Sequence, residues 1–183
     1  MNLPHLPNRD VMQACWLVDD LDAAIDTWAR QLGVGPFFWF DGVPFDDGVH
    51  RDSPAAFPRV TAAMAYAGDI QIELVCQDND DVGVFRDLFR RGESGLHHLA
   101  RVCVDYDAER NALIAGGAAL AFEGAVGGSR TCWVDTSPTL GFMMELLEPS
   151  EMRSTWFAHM HRAAETWDGT EAVIGGPRSR TRE

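Results

Sequence analysis

The sequence predicts an α+β fold in which two tandem βαβββ modules pair into one curved, cup-like mixed sheet with helices on its outer face. Three observations lead there. The stretch Gln13-Ala14-Cys15-Trp16-Leu17-Val18-Asp19-Asp20-Leu21-Asp22-Ala23 follows the same plan as His98-Leu99-Ala100-Arg101-Val102-Cys103-Val104-Asp105-Tyr106-Asp107-Ala108, 85 residues further on. In both, an apolar run ends in an acidic turn and a helix begins. Each copy then carries three strand-like runs, and a lone Glu sits inside the last of them: Glu73 in Ile72-Glu73-Leu74-Val75 and Glu145 in Met144-Glu145-Leu146-Leu147.

The elements follow in order. Residues 1–10 read as an N-terminal extension and 11–78 as the first module. After the strand at Gln13, Leu21, Ala24, Ile25, Trp28 and Leu32 recur at helical spacing, with Asp20 placed to cap the helix and Gly33 to end it. Strands are predicted over 36–40, 59–66 and 70–77, and the Asp-, Gly- and Pro-rich insertion 41–57 reads as a long loop. Residues 79–94 form a connector, with Val84, Phe85, Leu88 and Phe89 predicting a short amphipathic helix. In the second module, 95–149, a weaker helix runs from about Asp107 to Ala115 and stops at Gly116-Gly117. Strands are predicted over 119–123, 130–135 and 142–148. Residues 150–183 read as a C-terminal helix, to about Thr166, followed by a flexible tail from Gly175.

Composition narrows the function classes. The chain has 183 residues, 46% hydrophobic and 23% charged, as a soluble globular protein does. No apolar stretch approaches the roughly 20 residues that span a bilayer, and the start has no basic or apolar leader segment, so a cytoplasmic location without membrane attachment is expected. A formal charge of −13 argues against nucleic acid. All 15 basic residues are Arg, which excludes Schiff-base chemistry and a phosphate-binding loop of the Walker type, both of which need Lys. Cys15, Cys76, Cys103 and Cys132 lack paired spacing and read as buried free thiols.

Four polar residues occupy matched places in the duplicated unit: Gln13 and Glu73 in one copy, His98 and Glu145 in the other. An amide oxygen, an imidazole and two carboxylates form a ligand set for a divalent cation, with Zn, Co, Ni and Mn all compatible. Taken singly, a Glu or Gln in an apolar strand more often faces solvent. Four coincidences at equivalent positions make convergence the better expectation. Of His97 and His98, strand alternation allows only one to point into a common site. His159 and His161 lie on the C-terminal helix at a spacing that does not share a face, and read as surface residues. In the run Phe37-Phe38-Trp39-Phe40, alternate members can wall a pocket or serve as core.

Competing motifs are weak. Gly33-Val34-Gly35-Pro36 follows a helix instead of a strand and is read as a helix stop. No GxSxG elbow occurs, so a serine hydrolase is not supported.

On the stretches 13–24, 33–37, 68–74, 95–100 and 141–146, the sequence resembles the vicinal oxygen chelate superfamily, the glyoxalase, bleomycin resistance and dioxygenase fold. Within it, the glyoxalase-like and methylmalonyl-CoA epimerase-like proteins are nearest. The resemblance implies a cup with metal ligands at Gln13, Glu73, His98 and Glu145. It further implies an enzyme that abstracts a proton next to a metal-bound carbonyl, as an epimerase, isomerase or glyoxalase-type lyase. Glu145 is the candidate base and Glu73 its counterpart on the opposite face. A small carbonyl or thioester substrate and a homodimer are expected. A ring-cleaving dioxygenase is disfavoured, because its iron triad needs two His. The alternative within the same fold is a protein that binds or sequesters a small molecule without catalysis.

Overall fold

The central strand pair sets the architecture of this computed structural model, which describes residues 10–176. Most of the expected N-terminal extension and most of the tail after Gly175 therefore lie outside the described residues. β1 (Gln13–Leu17) runs antiparallel to β7 (Gly95–Val102), and each is flanked on its other side by a parallel strand, β6 (Ile70–Cys76) beside β1 and β10 (Met143–Leu147) beside β7. β5 (Thr61–Ala67) and β2 (Phe37–Asp41) continue the sheet on the first side. β9 (Ser129–Asp135) and β8 (Ala119–Val126) continue it on the second. The two modules thus join through their first strands into one large curved, unclosed mixed sheet, as predicted.

Alternation along the strands separates the two faces. α1 (Leu21–Gln31) is capped by the Asp20 carboxylate, which accepts from the Ala23 N–H at 2.9 Å, and it presents Leu21 and Ile25 to the outer face at Ile72 and Leu74. α2 (Tyr106–Ala115) repeats this with Asp105 and Ala108, and Tyr106 packs on Cys132, Val134 and Leu146. The intervening residues of β6 and β10, Gln71, Glu73 and Val75, then Met143, Glu145 and Leu147, share the concave face with their register partners.

Three segments depart from the expectation. The insertion 41–57 is not a structureless loop. It crosses to the second module, where β3 (Asp46–His50) extends the sheet beyond β8 and folds back on the short β4 (Ser53–Pro54). Arg51 and Asp52, both at positive φ, make the two-residue turn between them. Arg51 bonds Asp87 and Asp135, His50 meets Asp87 at 3.1 Å, and Phe45 and Phe57 pack on Phe122 and Trp133. The connector 79–94 forms turns instead of a helix. Gly83 lies hard against Pro58, and Val84 and Phe85 are drawn into the core as single anchors, so tertiary contact overrides the amphipathic pattern. After the single turn α3 (Ser137–Leu140), the chain ends with α4 (Glu151–Glu165), capped by Ser150, and β11 (Val173–Ile174), which pairs with β2 and was not anticipated.

Unlike α1 and α2, α4 lies on the concave side, where Phe157 and Met160 pack against Phe38, Tyr66 and Met64. The run Phe37 to Phe40 is accordingly core: Phe37 belongs to the α1 side, and Phe38 and Phe40 to the α4 side. Among the described residues no helix is long and apolar enough to cross a membrane.

Phe122 is fully buried and is the ring on which the insertion rests. Phe122→Ala should cost about 3–5 kcal/mol in urea denaturation. It should also speed proteolytic cleavage within 42–58, whereas unchanged cleavage there would show that the insertion is held by other contacts.

Candidate metal centre

The register of the four central strands arranges the inward side chains in two rows. One contains Glu73, Cys15, His98 and Met143; the next contains Gln71, Gln13, Ala100 and Glu145. A pseudo-twofold axis between β1 and β7 exchanges Gln13 with His98 and Glu73 with Glu145. The four residues selected from the sequence all face inward and are 3%, 9%, 1% and 6% exposed for Gln13, Glu73, His98 and Glu145, so none points to bulk solvent.

All four line one cavity, and the two carboxylates approach the imidazole. His98 Nε2 lies 3.0 Å from Glu145 Oε2 and 3.4 Å from Glu73 Oε2. Both contacts are poorly directed, and Nε2 is buried with no hydrogen bond. Gln13 donates through Nε2 to Gln71 Oε1 at 2.7 Å, which leaves Gln13 Oε1 buried and likewise unpartnered. Buried polar atoms without partners are rare because each costs on the order of 1–3 kcal/mol. An amide oxygen without a partner, an imidazole and two carboxylates lining one cavity make a donor set that suits a divalent cation.

His97 explains how the imidazole is held. The pairing of β1 with β7 passes from Cys15–His98 directly to Trp16–Leu96, so His97 is the extra residue of a β-bulge. The bulge defeats the expectation that neighbouring strand residues diverge, and brings the two Nδ1 atoms to 2.8 Å. His97 Nε2 lies 3.0 Å from the Val84 carbonyl, to which it must donate; its Nδ1 is therefore an acceptor and His98 Nδ1–H the donor. That arrangement turns His98 Nε2 toward the carboxylates, where it carries a proton in the metal-free protein and would ligate a cation once that proton leaves. Trp133 Nε1 also approaches His98 Nδ1, at 3.2 Å, but the shorter contact sets the proton and the indole serves as packing.

The electrostatics agree. Burial, followed by the neighbouring His98 charge, lowers the His97 pKa to about 3 and keeps it neutral. For His98 burial opposes the charge, but Glu145 and Glu73 outweigh it and push the pKa up to about 9. In the metal-free protein the imidazolium thus stands where a cation would. Cys15, given no chemistry from the sequence, has its Sγ close to both groups: one ligand atom each from Cys15, Glu73 and His98 lie within 4.8 Å of one another. Burial, then Glu73, raises its pKa well above the ordinary value, so it is a protonated thiol beside that carboxylate. Its shared strand parity with Gln13 was the available signal.

The centre floors a cavity of about 140 Å³ walled by Phe45, Phe57, Phe85, Trp133 and Phe157, with Arg153 of α4 at its side. His159 and His161 stay outside it. His159 is exposed against Phe38, and His161 lies near Asp69 and Glu165. Cys103 and Cys132 are buried, Cys76 is partly exposed, and all four thiols are free.

No curated protein matches the sequence. Among solved structures, a hypothetical protein, BH1468 from Bacillus halodurans C-125, is similar at 14% identity with a TM-score of 0.55, covering 79% of this chain and 97% of its own. Methylmalonyl-CoA epimerase from Mycobacterium tuberculosis is similar at 22% identity and TM-score 0.54, over 82% and 97% of the two chains. A variant of the Streptomyces coelicolor epimerase in complex with 2-nitronate-propionyl-CoA gives 19% identity and TM-score 0.54, over 79% and 96%. These likenesses establish the fold. Residues 12–134 match the family described as the Glyoxalase/Bleomycin resistance protein/Dioxygenase superfamily, and the chain belongs to that superfamily.

Proposed function

We propose that the protein is a divalent-metal-dependent enzyme that removes a proton next to a carbonyl group, as an epimerase, isomerase or glyoxalase-type lyase. Among these reactions, methylmalonyl-CoA epimerase-like chemistry is the one we favour. Gln13 Oε1, Glu73, His98 Nε2 and Glu145 would hold Zn, Co, Ni or Mn. The observation that carries the reading is the gathering of Gln13, Glu73, His98 and Glu145, all buried, around one cavity, with His98 Nε2 3.0 and 3.4 Å from the two carboxylates. When bound, such a cation polarises a carbonyl and stabilises the negative charge that develops as the α-proton leaves.

The chain's own residues would do the rest. Glu145 is the candidate base, and Glu73, whose carboxylate approaches the same His98 Nε2, would return a proton to the opposite face of the substrate. His97 fixes the His98 ring, and the aromatic wall gives the substrate an apolar surface beside the carboxylates. A small carbonyl compound or thioester as substrate and a cytoplasmic homodimer as working form complete the proposal.

The pKa shift of His98 fixes a pH dependence. Because its folded pKa lies above the ordinary 6.5, at about 9, its charge stabilises the metal-free fold fully below pH 6.5, and that contribution is lost as pH rises through 9. The urea midpoint of the metal-free protein should fall across that window, by roughly 1–3 kcal/mol of stability. His98→Gln should lack this limb, and a variant that retains it would contradict the assignment.

The reaction is tested by hydrogen exchange. The metal-loaded protein in heavy water should wash deuterium into the α-carbon of a 2-oxo acid or an acyl-CoA thioester. Glu145→Gln should be slower by about 10²–10⁴-fold. Absence of exchange across a broad panel would instead favour a ligand-sequestering protein of the same fold.

A further inference from the structure

One cationic side chain in the cavity takes no part in the proton transfer. Arg153 lies in the first turn of α4, outside the region 12–134 that defines the family match. Its guanidinium donates to Ser129 Oγ at 2.9 Å, to Thr131 Oγ1 at 3.0 Å and to the main-chain oxygen of Glu148. All three acceptors are neutral. Arg51, Arg101, Arg110 and Arg130 each pair with a carboxylate, whereas Arg153 has none within ion-pair distance among the described residues. Nε and one Nη2 hydrogen have no acceptor among those residues, which leaves donors for a further group. Burial lowers its pKa, and the Glu145 charge is the largest opposing influence.

A charge count shows what that group is. Glu73 and Glu145 together would cancel a dication, and the nearby Glu148 already pairs with Arg130, so Arg153 brings a positive charge to the loaded cavity that no lining carboxylate answers. A half-buried guanidinium with unused donors and no carboxylate partner is a fit for one, because its planar fork matches carboxylate geometry. The aromatic wall makes the remainder apolar: about 140 Å³ of the cavity accommodates a single ring, as a cavity on the order of 150 Å³ holds benzene, and the open side admits the oxo acid group.

We propose that Arg153 receives the carboxylate of the substrate, and that the substrate is a compact monocarboxylate with an apolar remainder whose carbonyl is turned toward Glu145. This inference rests on the metal-centre reading for the placement of the carbonyl, while the carboxylate contact belongs to Arg153 alone.

Calorimetric titration with benzoylformate, a 2-oxo acid with no α-proton to lose, and with its neutral methyl ester tests the proposal without turnover. The metal-loaded wild-type protein should bind the acid at least tenfold more tightly than the ester. Arg153→Gln should abolish that preference with ester affinity unchanged, and Arg153→Lys should restore part of it. Thermal unfolding confirms that both variants are folded. Equal affinity for acid and ester, failure of the acid to bind, or an undiminished preference in Arg153→Gln overturns the inference. Metal content is read on the same samples. Full metal occupancy without the acid preference defeats this inference alone, whereas an Arg153-dependent preference in a protein that takes up no metal defeats the metal-centre reading and leaves the carboxylate contact standing.

Discussion

The antiparallel pairing of β1 with β7, in which Cys15 faces His98 and Gln13 faces Ala100, is the constraint on which the site depends. A slip of one residue would turn every inward side chain to the outer face. A slip of two would keep the faces but shift the rows by about 7 Å, beyond the reach of a shared ligand. The bulge at His97 pins the register, since the extra residue can be absorbed only where its ring finds the Val84 carbonyl and His98. The duplicated unit matters for the same reason. Equivalent residues converge because the pairing puts their strands across a pseudo-twofold axis.

The polar floor is affordable only because the surroundings answer each group. Gln71 takes one end of Gln13, Cys15 stands by Glu73, and His97 takes the proton of His98. What is left over is the Gln13 oxygen and the Gln71 amide nitrogen, while His98 Nε2 meets the two carboxylates. The apolar roof comes from segments outside the duplicated plan: Phe45 and Phe57 from the insertion, Phe85 from the connector and Phe157 from α4. The modules build the chemistry, and the additions shape what it meets.

Much of this architecture was legible in the sequence because period and position carry it. Helical spacing after Asp20, alternation around Glu73 and Glu145, and the repeated acidic turns gave both modules and the inward set Gln13, Glu73, His98 and Glu145. The misses share one physical cause: they are set by contacts between distant segments. The Asp-rich insertion shows no strand periodicity, yet the open edge of β8 supplies hydrogen bonds to β3. Val84 and Phe85 have a helical pattern but are pulled into the core individually. Strand parity kept His97 out of the cavity, as found, but could not foretell its contact with His98, because a bulge leaves no mark in a single sequence. Arg153 looked like any polar residue on a C-terminal helix, and only the packing of α4 on the concave face brings it into the cavity.

The convergence of an amide oxygen, an imidazole and two carboxylates on one cation is the central claim, and X-ray absorption at the metal edge of the cobalt- or zinc-loaded protein tests it most directly. The account predicts about one metal per chain, with a first shell of oxygen and a single imidazole nitrogen at about 2.0–2.2 Å. A sulfur scatterer at about 2.3 Å, which would make Cys15 the ligand in place of Gln13, or failure to bind metal at all, would contradict it.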